Sequence, residues 1–350
     1  MSFKASKLCR KYFAAANGHS GFRSYFDEVF PSEKFRRIFV FKGGPGTGKS
    51  SMMKKCAEHF LKLGASVDLI FCSSDPSSLD GVIITQGDVR IALIDGTAPH
   101  ERDAVIPGAI DEIINLGQCW QSDKLEKSRE SILLLNKQKK VAYKNAYSAL
   151  SFAGKAAESA KNITKVYYNS EFAEKTVQKL ADKFIEKNKN TYKQLYCAFG
   201  KDGFVTFDIP SESIVKIGGR YGSGALFINH LYSLLSESKA DMIHSPSVFS
   251  NDDTYAIISP DFSYALKLSE NECEIDCSEF VNLNDFPEES YNRYRKTEDE
   301  FLSLSQKYFA DASSAHFKLE DIYKDAMRFE INDEIRNNII SEIESMLGIG

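Results

Sequence analysis

Short apolar runs and helical stripes alternate along the first third of the chain. The apolar runs are typical of buried parallel strands and lie at residues 37–41, 67–72 and 89–95. Between the first two runs, apolar side chains recur at helical spacing, at Met53, Cys56, Ala57 and Phe60. Gly64 follows as a helix stop, and residues 73–81 are rich in turn-forming Ser, Asp, Pro and Gly. The alternation predicts an α/β domain built on a parallel sheet.

The segment between the first predicted strand and helix reads GGPGTGKS and occupies residues 43–50. It matches the GxxxxGK[ST] pattern, in which glycines allow a tight loop whose backbone N–H groups face phosphate oxygens. Lys49 places an ammonium on the β- and γ-phosphates, Ser50 offers a hydroxyl to Mg²⁺, and the following helix directs its positive end at the phosphates. We predict that the nucleotide-binding residues are Gly43, Gly44, Pro45, Gly46, Thr47, Gly48, Lys49, Ser50 and Ser51.

The third apolar run ends in an acid, Asp95. An acid at the carboxyl end of a strand beside such a loop is where P-loop enzymes hold Mg²⁺. We therefore predict Ser50 and Asp95 as metal-binding residues, and Lys49 and Asp95 as the residues that a reaction requires. Asp75 and Asp80 are weaker metal candidates, because most acids in such loops cap turns.

Two roles are possible for His100, Glu101 and Arg102, which follow Asp95 in the sequence. His100 or Glu101 would act as a base on an attacking water or acceptor, and Arg102 would neutralise transition-state charge. Solvation at the surface is the alternative for all three. Asp95 is followed by Gly96, so the acidic pair that is common in fast ring-forming ATPases is absent. The sequence also lacks the guanine-reading NKxD motif, which favours ATP over GTP.

Four blocks of the first 120 residues carry a resemblance: GGPGTGKSS, CSSDPSSLDGV, LIDGTAPH and PGAIDEIINLG. Together they resemble a family of poorly characterised bacterial ATP-binding proteins built from two tandem P-loop halves. The resemblance implies a P-loop NTPase fold, ATP binding and a bacterial origin, but it supplies no substrate. In that family both halves tend to carry an intact loop, and here the second loop departs from the pattern.

A degenerate copy of the loop occurs in IGGRYGSGALF, residues 217–227. The copy keeps three glycines, Gly219, Gly222 and Gly224. Ala225 stands where the first loop has Lys49, and Leu226 stands where it has Ser50. The copy has therefore lost both the phosphate-binding ammonium and the metal-binding hydroxyl.

Flanking segments align as well. GFRSYFD at residues 21–27 matches GFVTFD at residues 203–208. The strand IALID at residues 91–95 aligns with YALKL at residues 264–268, so Leu268 corresponds to Asp95. If the alignment shifts by one residue, Ser269 corresponds to Asp95 instead, and neither residue is acidic. We predict two tandem repeats, the second of which is kept for packing or regulation.

Each predicted half is followed by helix. Residues 121–195 contain almost no Gly or Pro, and their apolar stripes predict one or two long helices forming a hairpin. The segment holds fifteen lysines and one arginine against eight acids, a net charge of +8 that leaves −13 on the remaining chain. Such a basic arm suits a protein, a nucleic acid or a membrane surface as a partner, and a solvated lysine-rich face is the alternative. Residues 289–350 predict a second, similar hairpin. We expect four tyrosines to pack the arm rather than stack on bases: Tyr143, Tyr147, Tyr167 and Tyr168.

Length, net charge and cysteine content constrain the number of domains, the partners and the cellular compartment. The 350 residues exceed what one core usually serves, and a net charge of −5 does not indicate a nucleic-acid partner for the whole chain. The seven scattered cysteines predict reduced thiols in a cytoplasmic protein, and no apolar run reaches the ~20 residues of a membrane span. The predicted domains are a P-loop domain (1–120), a lysine-rich helical hairpin (121–195), a degenerate P-loop repeat (196–288) and a C-terminal helical segment (289–350).

Three functions remain open from the sequence. The first is an ATP-binding protein whose first half hydrolyses ATP slowly and under stimulation by a partner. The second is a small-molecule or nucleotide kinase, although the helical arm has a single arginine, Arg129, and so lacks an Arg-rich lid. The third is a nucleotide-gated scaffold whose helical arms bind a protein or nucleic acid.

Overall fold

Two six-stranded sheets, one in each half of the chain, form the frame of the molecule. The structure, a computed structural model, describes residues 9–99, 101–184, 191–238, 240, 242–250, 252–267 and 273–349. Within these ranges, no helix combines the length and the apolar character that a membrane crossing requires.

The first half contains eight strands and five helices among the described residues. The strands are β1 (Cys9–Phe13), β2 (Ala15–Gly18), β3 (Gly21–Ser24), β4 (Arg37–Lys42), β5 (Ser66–Phe71), β6 (Leu79–Gln86), β7 (Val89–Asp95) and β8 (Asp111–Asn115). The helices are α1 (Phe26–Val29), α2 (Lys49–Lys62), α3 (Ser122–Lys127), α4 (Arg129–Tyr167) and α5 (Ser170–Ala181). The three predicted strands are confirmed as β4, β5 and β7, and the predicted helix is confirmed as α2.

The described part of the second half repeats this series. Its strands are β9 (Thr191–Lys193), β10 (Cys197–Gly200), β11 (Gly203–Thr206), β12 (Ser213–Gly218), β13 (Met242–Pro246), β14 (Thr254–Ile258), β15 (Phe262–Leu266) and β16 (Ile275–Asp276). Its helices are α6 (Ser223–Glu237), α7 (Glu288–Asp325) and α8 (Phe329–Leu347).

Strand order confirms the predicted repeat. The first sheet runs β1-β5-β6-β7-β4-β8, and the second runs β9-β13-β14-β15-β12-β16, which is the same order of corresponding strands. In each sheet the neighbouring strands are parallel except around β6 or β14, which is antiparallel to both of its neighbours. The hairpins β2-β3 and β10-β11 correspond as well. The fold is therefore a mixed α/β fold with two repeat-like halves and mostly parallel sheets.

The two sheets share one core. Side chains alternate along each strand, so Ile38 and Val40 of β4 point to a central cluster that also contains Ile258 and Ala265 of the second sheet. Phe39 points to the other face, where α2 packs. Each sheet thus has one face against the other sheet and one face under helices.

The long helices pair between halves, and the predicted hairpin within each half is wrong. At about 1.5 Å per residue, α4 and α7 are each nearly 60 Å long. They run antiparallel, because Tyr143 packs on Phe309 while Phe152 packs on Phe301. Ser305 donates a hydrogen bond to the carbonyl of Ala146 where they cross. The stripe of α4 at Ala142, Ala146, Ala149 and Leu150 is buried against the other half, whereas Leu133 near the start of the helix is exposed.

The helices that follow the long pair cross over to the opposite half. Ala173 and Val177 of α5 join the core of the second sheet, and Ile339 and Ile343 of α8 join the core of the first. The two halves are thereby interlocked. The predicted packing role of the tyrosines is confirmed, since each contacts an aromatic ring of the second half.

The cysteines agree with the expectation of reduced thiols. All seven lie in the described residues and all are free: Cys9, Cys56, Cys72, Cys119, Cys197, Cys273 and Cys277.

Candidate functional site

The predicted loop joins the end of β4 to the start of α2. We call residues 43–48 the first loop. Gly46 and Gly48 have positive φ angles of 70° and 83°, a conformation that side chains rarely adopt. Helix α2 begins directly after Gly48, so its N-terminal N–H groups face the loop. A strand, a loop and a helix N-terminus arranged in this way form an anion-binding geometry.

Lys49 folds back into the loop. Its Nζ donates hydrogen bonds to the carbonyls of Gly43 at 3.0 Å and Gly44 at 2.9 Å, and it lies 3.6 Å from Oδ2 of Asp95. The Lys49 side chain is only 11% exposed. The ammonium is therefore held inside the loop by two neutral carbonyls and one carboxylate. A phosphate group would form a stronger, charge-assisted hydrogen bond with this ammonium and would replace these partners.

Asp95 ends β7 and pairs with Phe41 of the parallel strand β4, which sets its side chain at the carboxyl edge of the sheet beside Lys49. One oxygen, Oδ1, accepts hydrogen bonds from the backbone N–H and the hydroxyl of Thr97 at 2.9 and 2.6 Å. Burial raises the pKa of Asp95, and Lys49 and Thr97 partly oppose that rise. The second oxygen faces Lys49.

A second carboxylate lies next to Asp95. Asp80 directly precedes Gly81, which pairs with Ile94 across the antiparallel strands β6 and β7. The carboxyl group of Asp80 is close enough to contribute to the raised pKa of Asp95, and it is itself buried. Sequence reasoning ranked Asp80 low because it predicted a turn there and missed β6; the apolar run VIITQ was the available signal.

Ser50 lies between the loop and β6. Its hydroxyl oxygen accepts a hydrogen bond from the backbone N–H of Leu79 at 2.9 Å. A hydroxyl oxygen has a second lone pair, so this bond leaves room for a cation contact. Ser50, Asp95 and Asp80 thus offer oxygen ligands of the kind that Mg²⁺ uses together with substrate phosphates.

The remaining loop residues serve the loop itself. The hydroxyl of Thr47 donates to the carbonyl of Gly44 at 2.9 Å, which closes the turn around Pro45. Ser51 is exposed on α2. Thr47 therefore supports the loop shape.

Beyond Asp95, the described residues do not assemble a catalytic group. Arg102 is buried, where it donates to the carbonyl of Phe30 at 2.7 Å and the hydroxyl of Ser32 at 2.9 Å. The predicted surface solvation of Arg102 is wrong, because its buried guanidinium anchors the chain after α1. Glu101 is exposed, and His100 lies outside the described residues.

Asp75 caps a turn, as expected for most acids in such a loop. Its Oδ1 accepts hydrogen bonds from the backbone and the hydroxyl of Ser77 at 3.2 and 2.7 Å. It also pairs with Lys201 of the second half at 3.3 Å.

Two helices of the second half contact the first loop, which sequence reasoning did not predict. The amide of Asn332 on α8 donates to the carbonyl of Thr47 at 2.9 Å. A Cβ on Gly46 would lie 2.5 Å from the carbonyl oxygen of Glu320, near the end of α7, so the backbones touch closely here. The loop is therefore braced by the other half.

The second loop, residues 219–224, is buried only at Ser223 and Gly224, whereas Arg220 and Gly222 are exposed. Its residues Arg220–Gly222 form a 3₁₀ turn, and α6 begins at Ser223, before the position of Ala225. The carbonyl of Tyr221 accepts a hydrogen bond from Thr164 of α4 at 2.6 Å. Leu226, on the first turn of α6, is buried, so an apolar side chain stands where the first half has Ser50.

The structure corrects the partner of Asp95 in the repeat. Asp95 pairs with Phe41, and the matching residue of β12, Ile217, pairs with Leu266 of β15. The counterpart of Asp95 is therefore Leu266, two positions before the predicted Leu268, because the second strand is shorter. Leu268 and Ser269 lie outside the described residues, and the corrected counterpart is still not acidic.

Comparisons with known proteins give no match. No protein-family model matches the sequence, no curated protein matches it, and no solved structure matches the fold. The resemblance to tandem P-loop ATP-binding proteins therefore stays a hypothesis.

Proposed function

We propose that the protein binds ATP with Mg²⁺ at the first loop and hydrolyses it slowly, while the second half is a non-catalytic repeat. The observation that carries this proposal is Lys49, whose buried ammonium lies inside a glycine loop, 3.6 Å from Asp95 and at the start of a helix. A loop of N–H groups around a lysine is suited to a triphosphate.

Each group in the site has a role in this proposal. Loop amides and the N-terminus of α2 bind phosphate oxygens, and Lys49 leaves the carbonyls of Gly43 and Gly44 to contact the β- and γ-phosphates. Ser50 and Asp95 would hold Mg²⁺, and Asp80 adds a second carboxylate. The metal would supply charge neutralisation on the transferring phosphoryl group.

Slow turnover is proposed because, among the residues that the structure describes, a base is not evident near the loop. Glu101 is exposed and Arg102 is engaged with Phe30 and Ser32. Stimulation by a partner would add a missing group or reposition an existing one, as arginine fingers do in other P-loop enzymes.

The test is calorimetric titration of purified protein with Mg-ATP, followed by a turnover assay. Lys49→Ala should weaken ATP binding by about ten- to a hundredfold, since a charge-assisted contact contributes ~1.5–3 kcal/mol. Lys62→Ala on the exposed end of α2 is the matched control and should bind as the parent does. Unchanged ATP affinity in folded Lys49→Ala would refute the site. Phosphate release without an acceptor indicates hydrolysis, whereas ADP release only with an acceptor indicates a kinase.

A nucleotide-gated scaffold is the second candidate, and a specific observation favours it. The first loop contacts Asn332 of α8 and the backbone of Glu320 on α7, so a phosphate that reshapes the loop would act on the second half. Tight ATP occupancy without turnover would support this function over slow hydrolysis.

A further inference from the structure

Helix α8 begins on the side of the first loop that lies away from Asp95. The strand order β7-β4-β8 sets Asp95, at the end of β7, on one side of the loop, and the 3₁₀ turn Leu116–Cys119, after β8, on the other side. Arg328 ties the start of α8 to this turn. Its backbone N–H donates to the carbonyl of Cys119 at 2.9 Å, and its guanidinium donates to another carbonyl of the turn at 2.7 Å. The first residue of α8, Phe329, therefore lies on the β8 side of the loop.

The ring of Phe329 lies against the first loop at Gly48. A Cβ on Gly48 would be 3.9 Å from Cε1 of Phe329 and 3.7 Å from both amide atoms of Asn332, one turn further along α8. Asn332 is buried and donates to the carbonyl of Thr47. Phe329 is 44% exposed, and among the residues that the structure describes no other aromatic ring packs on it. A partly exposed ring is thus held where the loop joins α2.

The internal repeat gives an independent comparison. The residue before α8 donates its backbone N–H to the 3₁₀ turn after β8, and the residue before α5 donates in the same way to the 3₁₀ turn after β16. The first residues of these two helices, Phe329 and Ser170, therefore correspond, and so do Asn332 and Ala173. The ring and the amide thus occur beside the loop that keeps Lys49, and neither occurs at the matching positions of the degenerate half.

We propose that Phe329 is the base-binding residue of the first loop and stacks on the adenine ring of ATP. The proposal rests on the proposed function. Because Mg²⁺ bridges the β- and γ-phosphates, the γ-phosphate end of the nucleotide lies towards Asp95. Adenosine is attached at the opposite end of the triphosphate and leaves the loop on the β8 side, where Phe329 lies. A flat purine has a π-face that an exposed aromatic ring covers.

The experiment compares the affinities for ATP and for inorganic tripolyphosphate, each with Mg²⁺, by calorimetry on the full chain. Tripolyphosphate carries the phosphates of ATP without the adenosine. Phe329→Ala should weaken ATP binding about tenfold and tripolyphosphate binding less than about twofold, because it removes a stacking surface and no phosphate contact. Phe329→Tyr, which keeps the ring, should retain most of the ATP affinity. Phe172→Ala, at a phenylalanine in the first turn of α5 that is 56% exposed, is the matched control and should bind both as the parent does.

Each outcome decides the proposal. Parent-like ATP affinity in Phe329→Ala overturns it and leaves the proposed function intact. Equal losses for ATP and tripolyphosphate also overturn it, since they indicate a structural effect on the loop through Gly48. A parent protein that binds neither compound overturns the proposed function and this inference together. If Phe329→Ala fails to fold, Phe329→Leu, which keeps apolar bulk without a ring, provides the same comparison with Phe329→Tyr.

Discussion

At the scale of single residues, Lys49 and Asp95 compensate for each other's burial. Their side chains are 11% and 18% exposed and their charged atoms are 3.6 Å apart. A buried charge without a partner costs several kcal/mol, so each keeps the other in the site. Asp95 also accepts two hydrogen bonds from Thr97, which partly oppose the rise in its pKa that burial causes.

Replacing Asp95 separates its metal role from its charge role. We expect Asp95→Asn to bind ATP with near-parental affinity in EDTA but to lose most of the gain that Mg²⁺ gives, because the amide is a poorer ligand than a carboxylate. Titration with ATP, with and without Mg²⁺, measures this gain. Asp88→Asn, at an exposed turn between β6 and β7, is the control. A full Mg²⁺ gain in Asp95→Asn would assign the metal to other residues, with Asp80 first.

A buried histidine predicts a pH dependence of stability. The ring of His244 stacks on Tyr232 with centroids 3.7 Å apart, and its Nε2 is 3.2 Å from the hydroxyl of Thr254. Burial, helped by the charge of Lys193, lowers the pKa of His244 to about 4. The unfolded chain takes up this proton near pH 6.5, so the stabilising contribution is complete above that pH and is lost as the pH falls towards about 4.

The loss amounts to about 3 kcal/mol in the free energy of unfolding, at about 1.4 kcal/mol per pKa unit. Urea unfolding of the parent and His244→Phe at pH 7 and pH 4.5 measures it. The parent should lose more stability than the variant over this interval. Equal losses would show that His244 is protonated in the folded protein.

The sequence predicts the local part of the site and misses the rest. The first loop and Asp95 are readable because the loop is contiguous and the acid ends an apolar run. Asn332 is not readable from the sequence, since it reaches the loop only on a helix of the other half. The position of Asp80 beside Asp95 depends on the antiparallel strand β6, where the sequence predicts a turn. Arg102 was misassigned for the same reason: its partners Phe30 and Ser32 are remote in sequence.

At the scale of elements, the long helices show what periodicity leaves undetermined. Small residues such as Ala142, Ala146 and Ala153 lie on the buried face of α4 and allow another helix to approach closely. The pattern does not determine which helix packs there. Any long helix with a matching stripe satisfies the pattern, and α7 has almost the same length as α4. The hairpin prediction failed at this step, although the helices themselves were predicted.

The crossed-over helix α8 should be essential to the first half. Ile343 is fully buried in the core with Phe39 and Phe60. We expect Ile343→Ala to destabilise the protein by about 2–5 kcal/mol, since it removes buried methyl groups and leaves a cavity. Chemical denaturation monitored by circular dichroism measures the change. Leu133→Ala, at a residue of α4 that is 61% exposed, is the control and should change stability by less than about 0.5 kcal/mol. A neutral Ile343→Ala would show that α8 does not pack on the first sheet.

At the scale of the whole molecule, the paired helices connect the two loops. Thr164 of α4 donates a hydrogen bond to the second loop, at the carbonyl of Tyr221. In return, α7 and α8 contact the first loop. The second half therefore has a structural role, because its helices contact the first loop and cover one face of the first sheet.

The asymmetry of the loops predicts one tight ATP per chain. In the second half Ala225 offers no ammonium, Leu226 offers no hydroxyl and Leu266 offers no carboxylate. Backbone amides alone form an anion nest, but a triphosphate with Mg²⁺ needs the charged partners as well. If each missing contact is worth ~1–3 kcal/mol, their combined loss lowers the affinity by several powers of ten.

Packing closes the second loop further, so restoring one residue should not restore a site. Leu226 is buried, and the ring of Tyr221 packs at a tilt against Phe286 with centroids 4.3 Å apart. Calorimetric titration of nucleotide-free protein with Mg-ATP should give a stoichiometry near one. Lys49→Ala should remove that signal, and Ala225→Lys should leave the stoichiometry at one, because the metal ligands and an open loop are still missing. Two tight sites in the parent, or a tight site that survives in Lys49→Ala, would show that the second half binds nucleotide by contacts other than those of the first loop.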